Sequence, residues 1–424
     1  MCTETPLNIA MLSIHSSPLG DLGTINTGGM SIYVRELANE LSRHGHSVDI
    51  FTCAENNGNN PIIQIGEHVR LIHLTIPEAT PSSKEDLVLF LPEICTVLED
   101  FAAEEKIRYD IIHSHYWISG CLGEMLQNKW NIPHIIMFHT LGLMKTPPGE
   151  EKKESNIRIR HEKRLVAQCQ KIIAPTEREK NNLIDSYKAH PDRIDIIPGG
   201  VNLDLFHIES QDEARKTLKR ESNTPLLLFV GRFAALKGLE LLLEALALLQ
   251  EHHTAELMII GGNDSNDTRQ QQLKEHVARL HLENLVHFIG RVDHQKLPLY
   301  YNAADLVVIP SSYESFGLVC LEALACGTPV IASHVGVMPD ILDGTENGAT
   351  IMDPDPRRLA AAITAFLSKK RSLNYNPESV RDSVKTFSWK RIGADTMHLY
   401  KNIAYNCSSG ETTGQQNKKR TADA

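Results

Sequence analysis

The residue types best suited to phosphate and hydroxyl chemistry in this chain fall into two short segments, one carrying two cations and the other two carboxylates. The cations are Arg232 and Lys237, within Phe229-Val230-Gly231-Arg232-Phe233-Ala234-Ala235-Leu236-Lys237-Gly238. A strand pattern precedes this segment and a helix pattern follows it, so both side chains are expected at the edge of a crevice. Arginine can grip a phosphate with its planar fork and lysine as a point charge, each charge-assisted contact contributing about 1.5–3 kcal/mol. A departing nucleoside diphosphate develops negative charge of the kind such groups stabilise. A solvated basic pair at a helix start is the plainer reading, but Gly231 and Gly238 bracket the pair, as close backbone approach to a phosphate requires.

The carboxylates, Glu314 and Glu322, stand eight positions apart in a stretch from Pro310 to Val330 that reads as strand, loop, helix, Gly-Thr-Pro turn and strand. If the helix opens near Phe316, its free N–H groups and a macrodipole of about half a positive charge suit a diphosphate. Glu314 would then lie in the loop at the mouth, able to accept from sugar hydroxyls. Glu322, two turns further in, would reach ribose hydroxyls. Two acids at a spacing are weak on their own. The intervening Ser-Phe-Gly-Leu and trailing Cys-Gly-Thr-Pro-Val make this segment far more specific.

The first half carries looser signals. Thr27-Gly28-Gly29-Met30 is a glycine-rich turn opening an amphipathic helix through Leu37, but it lacks the full Gly-x-Gly-x-x-Gly of dinucleotide folds. His113-Ser114-His115-Tyr116-Trp117 and Phe138-His139-Thr140-Leu141-Gly142 each end a strand pattern. His113 and His115 share one strand face without a third ligand nearby, so hydrogen-bonded structural histidines are expected and no metal. Arg158, Arg160, Lys163 and Arg164 form a basic run, and Lys84 sits in a Pro-Ser-Ser-Lys loop. Such a run is usually a solvated helix face; if Arg158 and Lys84 turn inward they make a second anion site. Asp353-Pro354-Asp355 has the Asp-x-Asp form that holds a divalent ion in some sugar transferases, but it sits in a proline-rich turn remote from the other motifs.

The elements that must position these residues alternate between short apolar β-rich runs and helical patterns, the mark of α/β domains with parallel sheets covered on both faces. Strands are expected at Leu7–Ile14, Val48–Phe51, Val69–Leu74, Ile111–His115, His134–Phe138, Ile172–Ala174 and Ile194–Ile197. After Pro198-Gly199-Gly200-Val201-Asn202, periodicity lapses, and a second series follows at Leu226–Val230, Leu257–Ile260, Val286–Ile289, Leu306–Ile309 and Val330–Ala332. The expected division is residues 1–200, residues 201–388, a last helix over 389–404, and a polar tail over 405–424. Ligands belong in a crevice at the carboxyl ends of such strands.

The bulk numbers agree with two ordinary globular domains: 424 residues, 42% of them hydrophobic and 23% charged. A net charge of −10 argues against a nucleic-acid coat or an anionic-membrane binder. The apolar runs are strand-length, short of the ~20 residues that span a bilayer. The first residues carry no secretory pattern, so cytoplasmic residence is expected. Eight scattered cysteines without a Cys-x-x-Cys pair signal neither zinc nor a disulfide framework.

Together these segments resemble the large GT-B glycosyltransferase family, family 4 or group 1, that contains sucrose-phosphate synthases and the inositol-phosphate glycosyltransferase of mycothiol synthesis. The resemblance covers about residues 7 to 404 and is most specific at Gly231-Arg232 with Lys237, at Glu314-x7-Glu322, and at the Ser-Pro-Leu, Gly-Gly-Met and His-Ser-His-Tyr-Trp stretches. It implies two Rossmann-like doubly wound domains facing each other across a cleft, with acceptor on the first and nucleotide-sugar on the second, and a final helix, Trp389 to Ala404, that crosses back to complete the first domain. By resemblance, Arg232 and Lys237 would stabilise the leaving diphosphate and Glu314 would hold sugar hydroxyls. Glu322 would bind the ribose, Phe316, Gly317, Leu318 and Val319 the sugar and phosphates, and Arg291 the base segment. His139 would contact the transferred sugar, and Gly28 and Gly29 would close over the diphosphate. The acceptor-phosphate positions would fall on Lys84, Tyr116, Thr140 and Arg158, with Ser31 where the inositol-phosphate enzyme is expected to carry Asn.

The activity so implied is retaining transfer of a hexosyl unit from a nucleotide-sugar, expected to be UDP-linked, to a hydroxyl of a small phosphorylated acceptor such as a sugar phosphate or inositol phosphate. The nucleotide-sugar is a co-substrate, and no essential metal or other cofactor is expected. No nucleic-acid partner or transmembrane segment is expected, and a homodimer is compatible with the sequence. A GT-B epimerase or hydrolase would share the diphosphate site but need no acceptor. An NAD-dependent dehydrogenase lacks its fingerprint here, and a non-catalytic sensor would have no reason to place cations where a leaving group forms.

Overall fold

The computed structural model describes residues 5–20, 28–53, 61–75, 85–144, 156–220, 224–250, 254–262, 268–345, 347–353, 355–372 and 376–408. Two separate sheets carry the chain. The first contains β1 (Asn8–Leu12), β2 (Ser47–Thr52), β3 (Ile62–Gly66), β4 (Val69–His73), β5 (Ile111–His115), β6 (His134–Met137), β7 (Lys171–Ala174) and β8 (Ile194–Ile196). Its order is β3-β4-β2-β1-β5-β6-β7-β8, parallel throughout except for β3, which runs antiparallel to β4. The second sheet contains β9 (Leu226–Val230), β10 (Glu256–Ile260), β11 (Val286–Gly290), β12 (Leu306–Ile309), β13 (Val330–Ser333) and β14 (Gly348–Ile351), in the all-parallel order β11-β10-β9-β12-β13-β14.

Burial explains why the inner strands are short apolar runs. β5, β6, β12 and β13 are buried at every position, as expected of parallel strands with helices on both faces. Two edge strands escape that pattern and were not expected from sequence. β3 has no buried residue, and β14, Gly-Ala-Thr-Ile, buries only Ile351, so neither presents the apolar run that marks an inner strand. Each sheet has an apolar cluster on either face, with Leu12, Phe51, Trp117 and Phe138 among one pair of layers and Leu228, Val307, Leu227 and Leu243 among the other.

The final helix, Trp389–Ser408, runs four residues past the expected end. Its Trp389, Ile392, Tyr400 and Ile403 are buried in the same cluster as Tyr33, Val34 and Leu37 of the Gly29–Arg43 helix, so this helix returns to the first domain. Among the described residues, no helix is long and apolar enough to cross a membrane.

Candidate active site

The cation segment and the carboxylate segment follow neighbouring strands, β9 and β12, and lock together through their loops. The Ser312 N–H donates to the Leu236 carbonyl at 2.8 Å, which brings Lys237 onto Glu314. Lys237 Nζ lies 2.5 Å from Glu314 Oε1, and Ser311 Oγ donates to that same oxygen at 2.9 Å. A cation and an anion thus neutralise each other where a diphosphate and a sugar would each need one of them. A charged phosphate would compete for Lys237 and leave the carboxylate oxygens to hydroxyl donors.

The helix behind this pair begins later than expected, at Leu318 and not near Phe316. The reason is Gly317, whose φ of +118° is outside the helical region and whose added Cβ would meet the Met338 Cε and Sδ at 2.8 Å. The carbonyl of Phe316 is instead taken by the Val337 N–H at 2.8 Å. No side chain caps the Leu318–Ala325 helix and no acidic residue occupies its first turn, so its leading N–H groups and positive dipole end remain available to an anion. Leu318 and Val319 stand in that first turn.

The first domain reaches over the same place. A Cβ on Gly28 would lie 3.9 Å from Arg232 Nε, and one on Gly29 would lie 3.5 Å from Leu318 Cδ1. The glycine turn therefore stands over the exposed Arg232 and over the start of the Leu318 helix. Gly199, in the connection between domains, abuts the Phe316 ring, where a Cβ would approach to 2.7 Å. Arg291 is exposed directly after Gly290 at the end of β11.

Glu322 is buried, and its carboxylate is held on both oxygens, at 2.7 Å from His294 Nε2 and at 2.8 Å by the Tyr301 hydroxyl. Neither partner was singled out from sequence, since His294 lies 28 positions away and Tyr301 21. Burial and the neighbouring carboxylate push the Tyr301 hydroxyl well above its ordinary range, so it stays a donor.

On the acceptor side, Arg158 turns inward and is fully buried, unlike a solvated basic run. Its Nε donates to Glu162 Oε1 at 2.7 Å, its Nη2 to the Thr140 carbonyl at 2.7 Å and to Thr140 Oγ1 at 3.0 Å, and its guanidinium sits 5.0 Å over the Tyr116 ring. Arg158, Thr140 and Tyr116 are thereby brought together. The sequence reading overlooked Glu162 and Tyr187: Glu162 also receives the Tyr187 hydroxyl at 2.5 Å and the Gly142 N–H at 3.0 Å. A glutamate one turn after an arginine was the available signal. Ser31 is fully buried beside the glycine turn, its hydroxyl paired with that of Ser16 at 2.8 Å. Lys84 lies outside the described residues.

The histidines form one chain. The Tyr400 hydroxyl lies 2.6 Å from His113 Nδ1, the rings of His113 and His115 are 4.2 Å apart, and His115 Nδ1 lies 2.9 Å from His139 Nε2. Burial lowers His113 and His139 to about 3 and His115 well below its usual value, aided by the neighbouring histidines at His113 and His115, so all three are neutral near pH 7. Tyr116 and His139, at the ends of β5 and β6, have φ of +78° and +58°, strained for residues with a Cβ.

Hydrogen bonds between described residues join the domains around Glu314. The Leu141 N–H donates to the Tyr313 hydroxyl at 3.2 Å, Ser315 Oγ donates to Glu179 Oε2 at 2.7 Å, and Arg178 donates to the His334 carbonyl at 2.7 Å. The Asp353 and Asp355 carboxylates lie elsewhere, within 3.5 Å and 3.2 Å of Arg358, and Asp355 accepts the Arg357 and Arg358 N–H groups at a helix start. That is a capping role.

Known proteins agree with this architecture. The Glycosyltransferase Family 4 family matches residues 27–205 and the Glycosyl transferases group 1 family residues 210–381. The chain is 35% identical to a D-inositol 3-phosphate glycosyltransferase of Geodermatophilus obscurus, over 92% of this chain and 88% of that protein. It is 33% identical to the enzyme of that name from Corynebacterium glutamicum, over 96% and 99% of the two chains. The sucrose-phosphate synthase structure from Thermosynechococcus elongatus superposes with a TM-score of 0.86 at 32% identity, covering 94% of this chain and 99% of that one. Anabaena HepE, crystallised with UDP and glucose, shares the fold with a TM-score of 0.75 at 18% identity, covering 94% of this chain and 100% of that one. Two facing α/β domains, the cation and carboxylate segments joined at their cleft, and these relatives lead to one assignment: the chain belongs to the family 4, group 1 glycosyltransferases and has their GT-B fold.

Proposed function

We propose that this glycosyltransferase moves a hexosyl unit, with retention of configuration, from a UDP-linked sugar to a hydroxyl of a small phosphorylated acceptor. The observation that carries the reading is the Lys237–Glu314 pair at the uncapped start of the Leu318 helix, with Gly28 set over Arg232 from the opposite domain. In the proposed step the acceptor oxygen bonds to the anomeric carbon on the face from which the diphosphate leaves. The bond from that carbon to the diphosphate oxygen breaks, and the same oxygen takes the acceptor proton. Arg232, Lys237 and the helix N–H groups stabilise the charge that develops on the diphosphate, with Gly28 and Gly29 closing the site. Glu314 and His139 hold the sugar, Phe316, Gly317, Leu318 and Val319 line it and the phosphates, Glu322 orients the ribose, and Arg291 lies beside the base. No step uses a metal.

Arg158, Thr140 and Tyr116 form the proposed acceptor-phosphate site, with Ser31 beside the glycine turn contributing to the acceptor pocket and Lys84 assigned to it by the family resemblance alone. The inositol 3-phosphate transferases among the relatives and the UDP and glucose bound in HepE support the acceptor and donor classes. The test is a thermal-shift screen of UDP-, GDP- and ADP-sugars. Sugar phosphates and inositol phosphate are then offered with the best donor in EDTA, with the product anomer assigned by NMR. Transfer with a retained anomer is expected. An inverted product, loss of transfer in EDTA, or donor turnover indifferent to every phosphorylated acceptor would overturn it.

A further inference from the structure

Three buried polar atoms without a hydrogen-bond partner lie near one another beside His139: the Tyr33 hydroxyl, His113 Nε2 and His115 Nε2. The orphan on His115 decides how His139 carries its proton. Because burial keeps both imidazoles neutral, the 2.9 Å contact between His115 Nδ1 and His139 Nε2 holds a single proton, with one ring donating and the other accepting. Were His139 the donor, His115 would accept on Nδ1 and carry its own proton on Nε2, stranding a buried N–H with no acceptor. Were His115 the donor, its Nε2 would be a bare lone pair. Among backbone groups, orphaned buried N–H groups are rarer than under-satisfied carbonyl oxygens, and we carry that ordering over to the imidazole edge.

We infer that His115 is a positioning residue: it donates from Nδ1 to His139 Nε2, fixes His139 as the Nδ1–H tautomer, and so makes His139 a hydrogen-bond donor toward an oxygen of the bound sugar. The ring plane is fixed as well. Tyr33 packs edge-on against His139 at 5.2 Å and against Trp389 at 5.3 Å, while His113 backs His115 at 4.2 Å. His139 is mostly covered but keeps a partly exposed edge, and its Nδ1 bonds to no other described residue, which leaves that donor for a ligand. The consequence for the sugar rests on the proposed contact between His139 and the transferred unit; the tautomer itself does not.

The experiment is 15N NMR of the full chain labelled at histidine, without substrate, with the His139 signals assigned by their loss in His139→Gln. The expected result is a pyrrole-type shift for His139 Nδ1 and a pyridine-type shift for Nε2. In His115→Leu that preference should be lost, both nitrogens moving toward averaged values. In His115→Asn, whose amide N–H replaces the Nδ1–H, it should return. A pyrrole-type Nε2 in the unaltered protein overturns the inference, as does a tautomer unchanged in His115→Leu. Because no donor or acceptor is added, failure of the transferase reading would leave this result standing.

Discussion

At the scale of single residues, the site is built from charges that satisfy each other. Lys237 and Glu314 are 77 positions apart, so their pairing was not legible in the sequence, although each was legible as a candidate from its motif. Lys237→Ala should lower kcat by about 10²-fold or more, since a preorganised donor to a developing charge is lost. A variant with nearly full turnover would remove Lys237 from the chemistry. Arg158 allows stability and function to be separated. Arg158→Ala strands the buried Glu162 carboxylate, which should cost about 3–5 kcal/mol and lower Tm. Adding Glu162→Gln should recover much of that stability without recovering the rate on a phosphorylated acceptor. If activity returns together with Tm, Arg158 serves only the fold. Its inward turn was only the second reading of the sequence, because a run with Arg160, Lys163 and Arg164 is more often a wet helix face.

Elements were read well where burial shapes composition and poorly where it does not. The inner strands of both sheets stood out as apolar runs; β3 and β14, edge strands with mixed exposure, did not. The helix start moved from Phe316 to Leu318 for a tertiary reason, the packing of Gly317 against Met338, which no local pattern announces. That packing makes an expectation. Gly317→Ala adds a Cβ at φ +118° against the Met338 thioether, a strain of about 1–3 kcal/mol that should displace the leading N–H groups. Titration with UDP should show a Kd raised tenfold or more. Unchanged UDP affinity would mean that this helix start does not hold the diphosphate.

Across the whole molecule the described polar contacts between the domains around Glu314 run through Arg178, Tyr313 and Glu179, and of these Glu179 is the carboxyl. The Glu179 N–H bonds to Thr176 Oγ1 at 3.1 Å as in a capping box, but its carboxylate turns to Ser315 of the other domain, and Oε1 is buried without a partner. Burial lifts this carboxyl from 4.5 to about 7, with Glu162 adding to the rise and Ser315 opposing it. The folded chain therefore keeps a proton that the unfolded chain releases above about pH 4.5, so this group's contribution falls as pH climbs toward about 7 and is level beyond. The accumulated penalty at pH 8 is on the order of 3 kcal/mol. Glu179→Gln, neutral at every pH, escapes it while keeping an oxygen for Ser315. Its Tm relative to the unaltered protein should thus rise between about pH 5 and pH 7 and level off by pH 8 in parallel thermal melts, and a difference independent of pH would show that Glu179 is hydrated and that the contact with Ser315 does not persist in solution.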